Sequence, residues 1–151
     1  PIKLMLFNFN KTKMRKIDLL KLLNKNIKNT LIETLSIEFT EIGDDYLLAR
    51  MPVNQKVHQP DGVLHGGATA ALAETVGSAA SSILAKGGKS IIRGIELSIN
   101  HLKSITTGYV YAKAISMHNG KTMQLWEIKI TNENGKIISL AKLTTLTLQT
   151  N

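Results

Sequence analysis

Apolar residues at helical spacing open the interpretable part of the chain. Residues 16–28 carry Ile17, Leu20, Leu23 and Ile27 on one side, with lysines on the other. Apolar residues three and four positions apart form one face of an α-helix. The pattern therefore predicts a short amphipathic helix that covers a hydrophobic core.

Alternation of apolar and polar residues predicts strands on both sides of the chain's centre. Residues 30–40 alternate in this way, and residues 46–53 return as a second strand after an acidic turn. Four further strands are predicted at residues 90–103, 107–117, 122–131 and 136–149. Asn-Gly pairs at 119–120 and 134–135 predict hairpin turns, the first of them a two-residue turn. No proline follows Pro60 to interrupt these strands.

A long helix is predicted between the two groups of strands, at residues 66–85, with a stop at Lys86-Gly87-Gly88-Lys89. Its residues are small and apolar on every side, which is typical of a buried helix. Glu74 is the single charged residue between Asp61 and Lys86. A carboxylate within a buried helix costs free energy unless it is paired or changes its protonation.

These elements predict an α+β domain, because the helices would cover one face of an antiparallel sheet. A sheet built from long hairpins curves, and the small-residue helix is thin enough to lie inside the curve. We therefore expect one long central helix wrapped by one sheet. The sheet would retain an open face and an edge strand, which a partner chain would cover.

Composition narrows the class of protein. With 151 residues the chain is most simply one domain with a substantial core. It contains no cysteine, which excludes disulfides, thiolate nucleophiles and cysteine-ligated zinc. The lack of cysteine also suits a reducing compartment, so we expect a cytoplasmic protein.

The net charge of +8 belongs to the start of the chain. Residues 1–28 contain eight lysines and arginines and one acidic residue, whereas the remaining 11 basic and 10 acidic residues nearly cancel. We expect a partly ordered basic arm at residues 1–15 and a single domain at 16–151. The apolar patch Ile2–Phe7 is too short to span a membrane. Aromatic residues do not interleave with the basic ones, so neither nucleic acid nor a membrane is an expected partner.

Two classes of hydrolase are excluded by motif. The four histidines lack the short spacing of metal ligands on a helix, and there is no HExxH sequence, so no metal is expected. A serine hydrolase with a nucleophile elbow would need GxSxG, which is also missing. No cofactor is expected either.

The centre of the chain resembles a known family. Gln59-x5-His65-Gly66-Gly67-Ala68-x5-Glu74-x3-Ser78 is similar to the signature of hotdog-fold acyl-CoA thioesterases of the phenylacetate-pathway and 4-hydroxybenzoyl-CoA (Arthrobacter-type) group. The resemblance covers residues 17–148. The outer segments Asn100-His101-x-Lys103-Ser104 and Leu143-Thr144-Thr145 are most similar to thioesterases that act on 1,4-dihydroxy-2-naphthoyl-CoA in menaquinone biosynthesis.

The resemblance and the chemistry of the residues imply the same division of roles. Glu74 would attack the thioester directly or act as a general base for water, and the sequence leaves both open. Gly66 lies in the first helical turn, where free backbone N–H groups would polarise the thioester carbonyl. Ser78, one turn after Glu74, would orient the carboxylate. Gln59 and His65 would be polar donors at the mouth of the site.

The family also implies an assembly. Gln59, His65 and Gly66 of one subunit would face Glu74 and Ser78 of the next, in a homodimer that pairs into a homotetramer. Six further residues are expected to bind the substrate or its coenzyme A portion, which is substrate and product rather than cofactor: Gly67, Lys89, Arg93, His101, Lys103 and Ser104. Lys103 stands where related chains often carry arginine, so it would keep phosphate attraction but lose bidentate geometry.

Each assignment has a competing interpretation. Glu74 could form a structural ion pair with Arg93 or Lys103, and His65 could cap the helix or be a buried, hydrogen-bonded imidazole. Ser78 could be a small packing residue. The whole protein could be a non-catalytic hotdog protein that binds acyl-CoA as a sensor. An aromatic acyl group is the expectation, but the sequence does not choose among dihydroxynaphthoyl, hydroxybenzoyl, phenylacetyl and alkyl groups.

Overall fold

The computed structural model describes residues 15–84 and 90–149, which form one antiparallel sheet and three α-helices. The elements in chain order are α1 (Lys16–Lys25), α2 (Leu31–Thr34), β1 (Glu38–Ile42), β2 (Tyr46–Pro52), α3 (Gly66–Leu84), β3 (Ser90–His101), β4 (Tyr109–Asn119), β5 (Met123–Asn132) and β6 (Ile137–Gln149). The strand order in the sheet is β1-β2-β4-β5-β6-β3. The expected basic arm, apart from Arg15, and the expected helix stop lie outside the described residues.

The core lies between α3 and the inner face of the sheet. Alternate residues of the central strands are buried there, among them Leu47, Met51, Val110, Trp126, Ile128 and Leu143. One face of α3 meets them through Leu72, Val76 and Ala80. The helix and sheet approach so closely at Gly77 that an added Cβ would lie 2.4 Å from Leu143 Cδ2. The expected α+β hotdog architecture, with a long central helix wrapped by a curved antiparallel sheet, is confirmed.

The opposite face of α3 departs from the expectation of burial on every side. In the single chain Ala70, Ala71, Glu74 and Ser78 are only half-buried. The sheet covers one face of the helix, and the small residues of the other face remain partly exposed. The small side chains that suggest a fully buried helix therefore form, in part, a surface.

Helix α1 closes the end of the sheet at β1. The Asn24 side chain donates to Phe39 O at 2.8 Å and accepts from Phe39 N at 2.9 Å, as a neighbouring strand would. Nearby, the Lys16 ammonium donates to Asp44 Oδ1, which lowers the pKa of the Asp44 carboxyl. These contacts join α1 to β1 and to the turn that follows β1.

The strand expected at residues 30–40 is wrong for its first half. Residues 31–34 form the short helix α2, and the strand begins only at Glu38. Thr30 precedes the helix, and Glu33 Oε2 accepts from Asn29 N–H at 2.6 Å. The Thr30 side chain does not cap α2. Its hydroxyl donates to Ile27 O, and together with the bond from Asn29 to Glu33 this contact holds the segment as a helical turn instead of a strand.

Of the two predicted hairpin turns, the structure confirms the second but not the first. After β4, Gly120 N–H donates to Met123 O at 3.0 Å, so the loop centres on Lys121 and Thr122 instead of the expected Asn-Gly pair. A bulge near Ser116 shifts the register of β4 against β5. The second turn is confirmed, with Gly135 in the left-handed region at φ +75°.

Among the described helices, none combines the length and the apolar character needed to cross a bilayer.

Candidate active site

The residue immediately before α3 accepts hydrogen bonds from backbone N–H groups of the first helical turn. The His65 ring Nδ1 accepts from Gly67 N–H at 2.8 Å, and the His65 carbonyl accepts from Ala68 N–H and Thr69 N–H. His65 therefore caps the helix, the alternative that the sequence left open for it. The Gly66 N–H has no acceptor among the described residues, so it remains available to a ligand at the positive end of the helix.

A cavity of about 270 Å³ opens at this end of α3. Its lining combines the loop before the helix, the first helical turn and the chain that follows β3: Gln59, Val63, Leu64, Gly66, Thr69, His101, Leu102, Lys103, Ser104, Ile138 and Ser139. The fold thus brings the expected donor Gln59 and the expected carbonyl-binding Gly66 together with the expected coenzyme A residues His101, Lys103 and Ser104.

His101 is held over the helix N-terminus. Its Nδ1 lies 3.1 Å from Ser139 Oγ on the adjacent strand β6, and its Nε2 faces Gly66. A Cβ on Gly66 would lie 2.8 Å from that Nε2, so the missing side chain leaves room for the imidazole. Gln59 is oriented from within its own loop, because Gln59 Nε2 donates to Asp61 Oδ2 at 3.2 Å.

Glu74 lies farther along α3, on the half-buried face. Ser78 Oγ donates to Glu74 Oε1 at 3.3 Å, as expected for residues four positions apart on a helix. The carboxylate also lies against Gly94 of β3. Within residues 15–84 and 90–149, the salt bridges join other residues, and none involves Glu74.

The two cations proposed as structural partners of Glu74 therefore do not pair with it. Arg93 is exposed on β3, and its Nη1 donates to the Ile92 carbonyl at 2.9 Å. Lys103 is exposed at the cavity mouth. A half-buried carboxylate with a hydroxyl donor and no cation among the described groups is available for chemistry with a ligand.

One chain does not bring the carboxylate and the helix N-terminus to the same reacting atom. Glu74 follows Gly66 by eight residues, which corresponds to about 12 Å along a helix axis. An oxyanion donor works at about 3 Å from the oxygen that it stabilises. The single chain therefore keeps Gly66 and Glu74 apart, at two places that are called the Gly66 half-site and the Glu74 half-site.

Two further residues, Gly67 and Lys89, were expected to bind the substrate. Gly67 is exposed beside the His65 cap, and Lys89 lies outside the described residues. Sequence reasoning missed Gly94, Ser139 and Thr69. Ser139 pairs with His101, and Gly94 with Thr145, only through the β3–β6 register, which local sequence does not give. In the described parts of the chain, no three histidine, aspartate or glutamate side chains cluster closely enough to hold a metal ion.

Comparison with known proteins places this geometry in a family. The model of the thioesterase superfamily matches residues 61–139. The chain is 43% identical over 126 residues to the proofreading thioesterase EntH of Cronobacter turicensis, over 83% of this chain and 91% of that protein. It is also 41% identical over 129 residues to the proofreading thioesterase EntH of Cronobacter sakazakii, over 85% of this chain and 93% of the relative.

Solved structures agree with the sequence comparison. A Haemophilus influenzae thioesterase superposes with a TM-score of 0.82 at 37% identity, covering 86% of this chain and 90% of that one. A mutant thioesterase from Pseudomonas aeruginosa gives a TM-score of 0.82 at 37% identity, covering 85% and 93%. The matched region includes the Gly66 half-site, the Glu74 half-site and the end of β3. The chain therefore belongs to the thioesterase superfamily and has its hotdog fold.

Proposed function

We propose that this thioesterase hydrolyses an acyl-CoA with an aromatic acyl group to the free acid and coenzyme A. The observation that carries the proposal is the Glu74 carboxylate. It is half-buried on an otherwise uncharged helix, accepts from Ser78, and has no cationic partner among the described residues. Such a carboxylate is free to act on a substrate.

Two routes are open to Glu74, and both give the same products. The carboxylate attacks the thioester carbon and water then hydrolyses the anhydride, or it takes a proton from water that attacks directly. In each route the carbonyl oxygen becomes negative, the C–S bond breaks, and the thiolate leaves. A positioned base contributes roughly 10²–10⁴ in rate. The Gly66 N–H would donate to the developing oxyanion, and one such donor contributes about 3–4 kcal/mol.

A second copy of the chain would unite the two half-sites. Strand β3 lies at one edge of the sheet, and Ile95 on it is 53% exposed. A long exposed edge strand readily pairs with another strand. If two copies of β3 pair antiparallel about an axis near residues 97 and 98, Gly94 of one copy lies opposite His101 of the other. Glu74 of one copy then approaches the Gly66 cavity of the other.

We propose this homodimer as the catalytic unit, with a homotetramer as a pair of such dimers. Gln59, His65 and Gly66 would come from one copy, and Glu74 and Ser78 from the next. Light scattering on the purified protein distinguishes dimer from tetramer.

Coenzyme A would bind along the cavity mouth. Lys103 is exposed there, and His101 and Ser104 add polar groups. These three side chains suit the phosphates of coenzyme A. Gly67, Lys89 and Arg93 remain proposed contributors. The aromatic acyl group would lie near Ala70 and Ala71, whose small side chains leave room beside Glu74. We propose that neither a nucleic acid nor a membrane is a partner of this protein. We propose a cytoplasmic location.

The role of Glu74 is tested by Glu74→Ala. We expect thiol release from an aryl-CoA to fall roughly 10²–10⁴-fold, since the base or nucleophile is lost. Acyl-CoA affinity, measured by calorimetry, should stay within a few-fold. Glu133→Ala, which removes an exposed carboxylate in the β5–β6 turn, is the control and should leave both quantities unchanged.

Two results would contradict the proposal. Full turnover in Glu74→Ala would remove the carboxylate from the mechanism. Tight acyl-CoA binding by the unmodified protein without any hydrolysis would favour the sensor alternative. A panel of dihydroxynaphthoyl, hydroxybenzoyl, phenylacetyl and alkyl thioesters then defines the acyl group, and a preference for alkyl chains would contradict the aromatic assignment.

A further inference from the structure

A glycine on β3 faces the carboxylate of Glu74 directly. A Cβ built on Gly94 would lie 1.9 Å from Glu74 Oε1, 2.9 Å from Cδ and 3.3 Å from Oε2. No real side chain could occupy that space while the carboxylate stays where it is. We infer that Gly94 is a positioning residue for Glu74, a role that rests on the proposed function: its missing side chain leaves the space in which the carboxylate lies beside Ser78.

Backbone conformation does not explain the glycine. Gly62, Gly108 and Gly135 have positive φ angles and need glycine for that reason, whereas Gly94 is not among the residues with positive φ. Any L-residue could adopt the Gly94 backbone. The requirement at this position is therefore the space that Glu74 occupies.

The strand cannot easily move away to make that space. Gly94 pairs with Thr145 on β6, and Thr145 Oγ1 is fixed in the core by Ser81 Oγ at 2.7 Å and Gln124 Oε1 at 2.9 Å. Directly after Gly94, a bulge inserts Ile95, since Glu96 already pairs with Thr144. Bulges bend a strand at a defined place. The bent strand is thus anchored by β6, and a clash at Gly94 falls on the Glu74 side chain.

Gly94→Ala should therefore displace the carboxylate and weaken its bond from Ser78. A misplacement of about 1 Å in a reacting group can cost on the order of 10² in rate. We expect kcat to fall by about that factor. KM should change less than kcat, because the added methyl group lies against the Glu74 carboxylate, although the proposed dimer also brings Gly94 opposite His101 of the other copy. A merely structural glycine would lower the amount of folded enzyme and leave the kcat of the folded fraction intact.

The test is a double-mutant cycle with two readouts. In the Glu74→Asp background the carboxylate is one methylene shorter, so Gly94→Ala should cost much less in kcat than it does with glutamate present. In the Glu74→Ala background the steric conflict is absent. A crystal structure of Gly94→Ala should show the Glu74 carboxylate turned away from Ser78 Oγ, and Tm should change little in either background, because the clashing atom is the end of a flexible side chain. The second readout needs no turnover and stands even if Glu74 proves not to be catalytic.

Gly77→Ala is the matched control. Its Cβ would also clash, but with Leu143, so its effect on Tm should be the same with or without Glu74. Unchanged kcat in Gly94→Ala would overturn the inference. A Gly94→Ala structure with the Glu74 carboxylate still beside Ser78 Oγ would also overturn it. Dissociation of the assembly in both backgrounds would do so as well, since Gly94 would then serve assembly.

Discussion

Two serines of α3, Ser78 and Ser81, lie about one turn apart and make different contacts. Ser78 donates to the Glu74 carboxylate, whereas Ser81 is fully buried and accepts from Trp126 Nε1 at 2.6 Å. Ser81 also bonds Thr145, so it belongs to the polar network of the core. A hydroxyl on the half-buried face can serve a reaction, and a hydroxyl on the buried face serves folding.

The two serines should separate activity from stability. Ser78→Ala is expected to lower kcat roughly tenfold, because a hydrogen bond to a charged group is lost, with little change in unfolding. Ser81→Ala is expected to lower the free energy of unfolding by about 1–3 kcal/mol, because the indole N–H loses its acceptor in the core. Steady-state kinetics and urea unfolding of both variants measure this. Reversed effects would contradict the division.

Sequence alone indicated Glu74 and Ser78, since one charge on an apolar helix and a hydroxyl four residues later are both local features. It also placed Gly66 at the helix start, where the structure has it. It missed Gly94, because a glycine in a strand shows nothing locally about the side chain that fills its space. That information exists only after helix and strand have met.

At the scale of elements, α1 is hydrogen-bonded to the edge of β1 through Asn24, in addition to the packing of Leu23 in the core. Asn24 makes both backbone bonds with Phe39 that a further strand would make at that position. Edge strands expose unpaired backbone groups, and covering them prevents unwanted pairing. Helix α1 therefore covers β1, while β3 at the other end of the sheet has no such cover among the described residues.

Asn24→Ala should destabilise this attachment. We expect the free energy of unfolding to fall by about 1–3 kcal/mol, since two backbone groups of Phe39 lose their partner. Asn26→Ala is the control, because Asn26 bonds only within its own helix, to Leu22 O at 2.8 Å. Urea unfolding compares the two, and equal losses would show that the contact with Phe39 adds nothing.

The elements were predicted well where the period was long and unambiguous. Helix α1, helix α3 and the four later strands lie within a few residues of their expected bounds. The predictions for residues 31–34 and for the first hairpin loop were wrong. Residues 31–34 form a helical turn whose Glu33 bonds Asn29, and a bulge near Ser116 shifts the register before the hairpin loop. The secondary structure of a short segment depends on single local contacts, which the spacing of apolar residues does not indicate.

At the scale of the whole molecule, the sequence predicted a curved sheet around one helix but not the order of its strands. Pairing β3 with β6, instead of with its chain neighbour β4, creates the cavity wall at His101 and Ser139. The same pairing leaves β3 at the edge of the sheet. The division of the site into two half-sites follows from this topology and from the length of α3.

The proposed location of the active site between two copies is tested most directly by complementation between two inactive variants. Glu74→Ala removes the carboxylate half-site, and Gly66→Val blocks the helix N-terminus, with folding of each checked by circular dichroism. If the site forms between copies, a mixed dimer keeps one intact site, and an equal mixture that is unfolded and refolded together should regain about a quarter of normal activity. If the mixture stays as inactive as its components, each site lies within one chain and no site forms between copies.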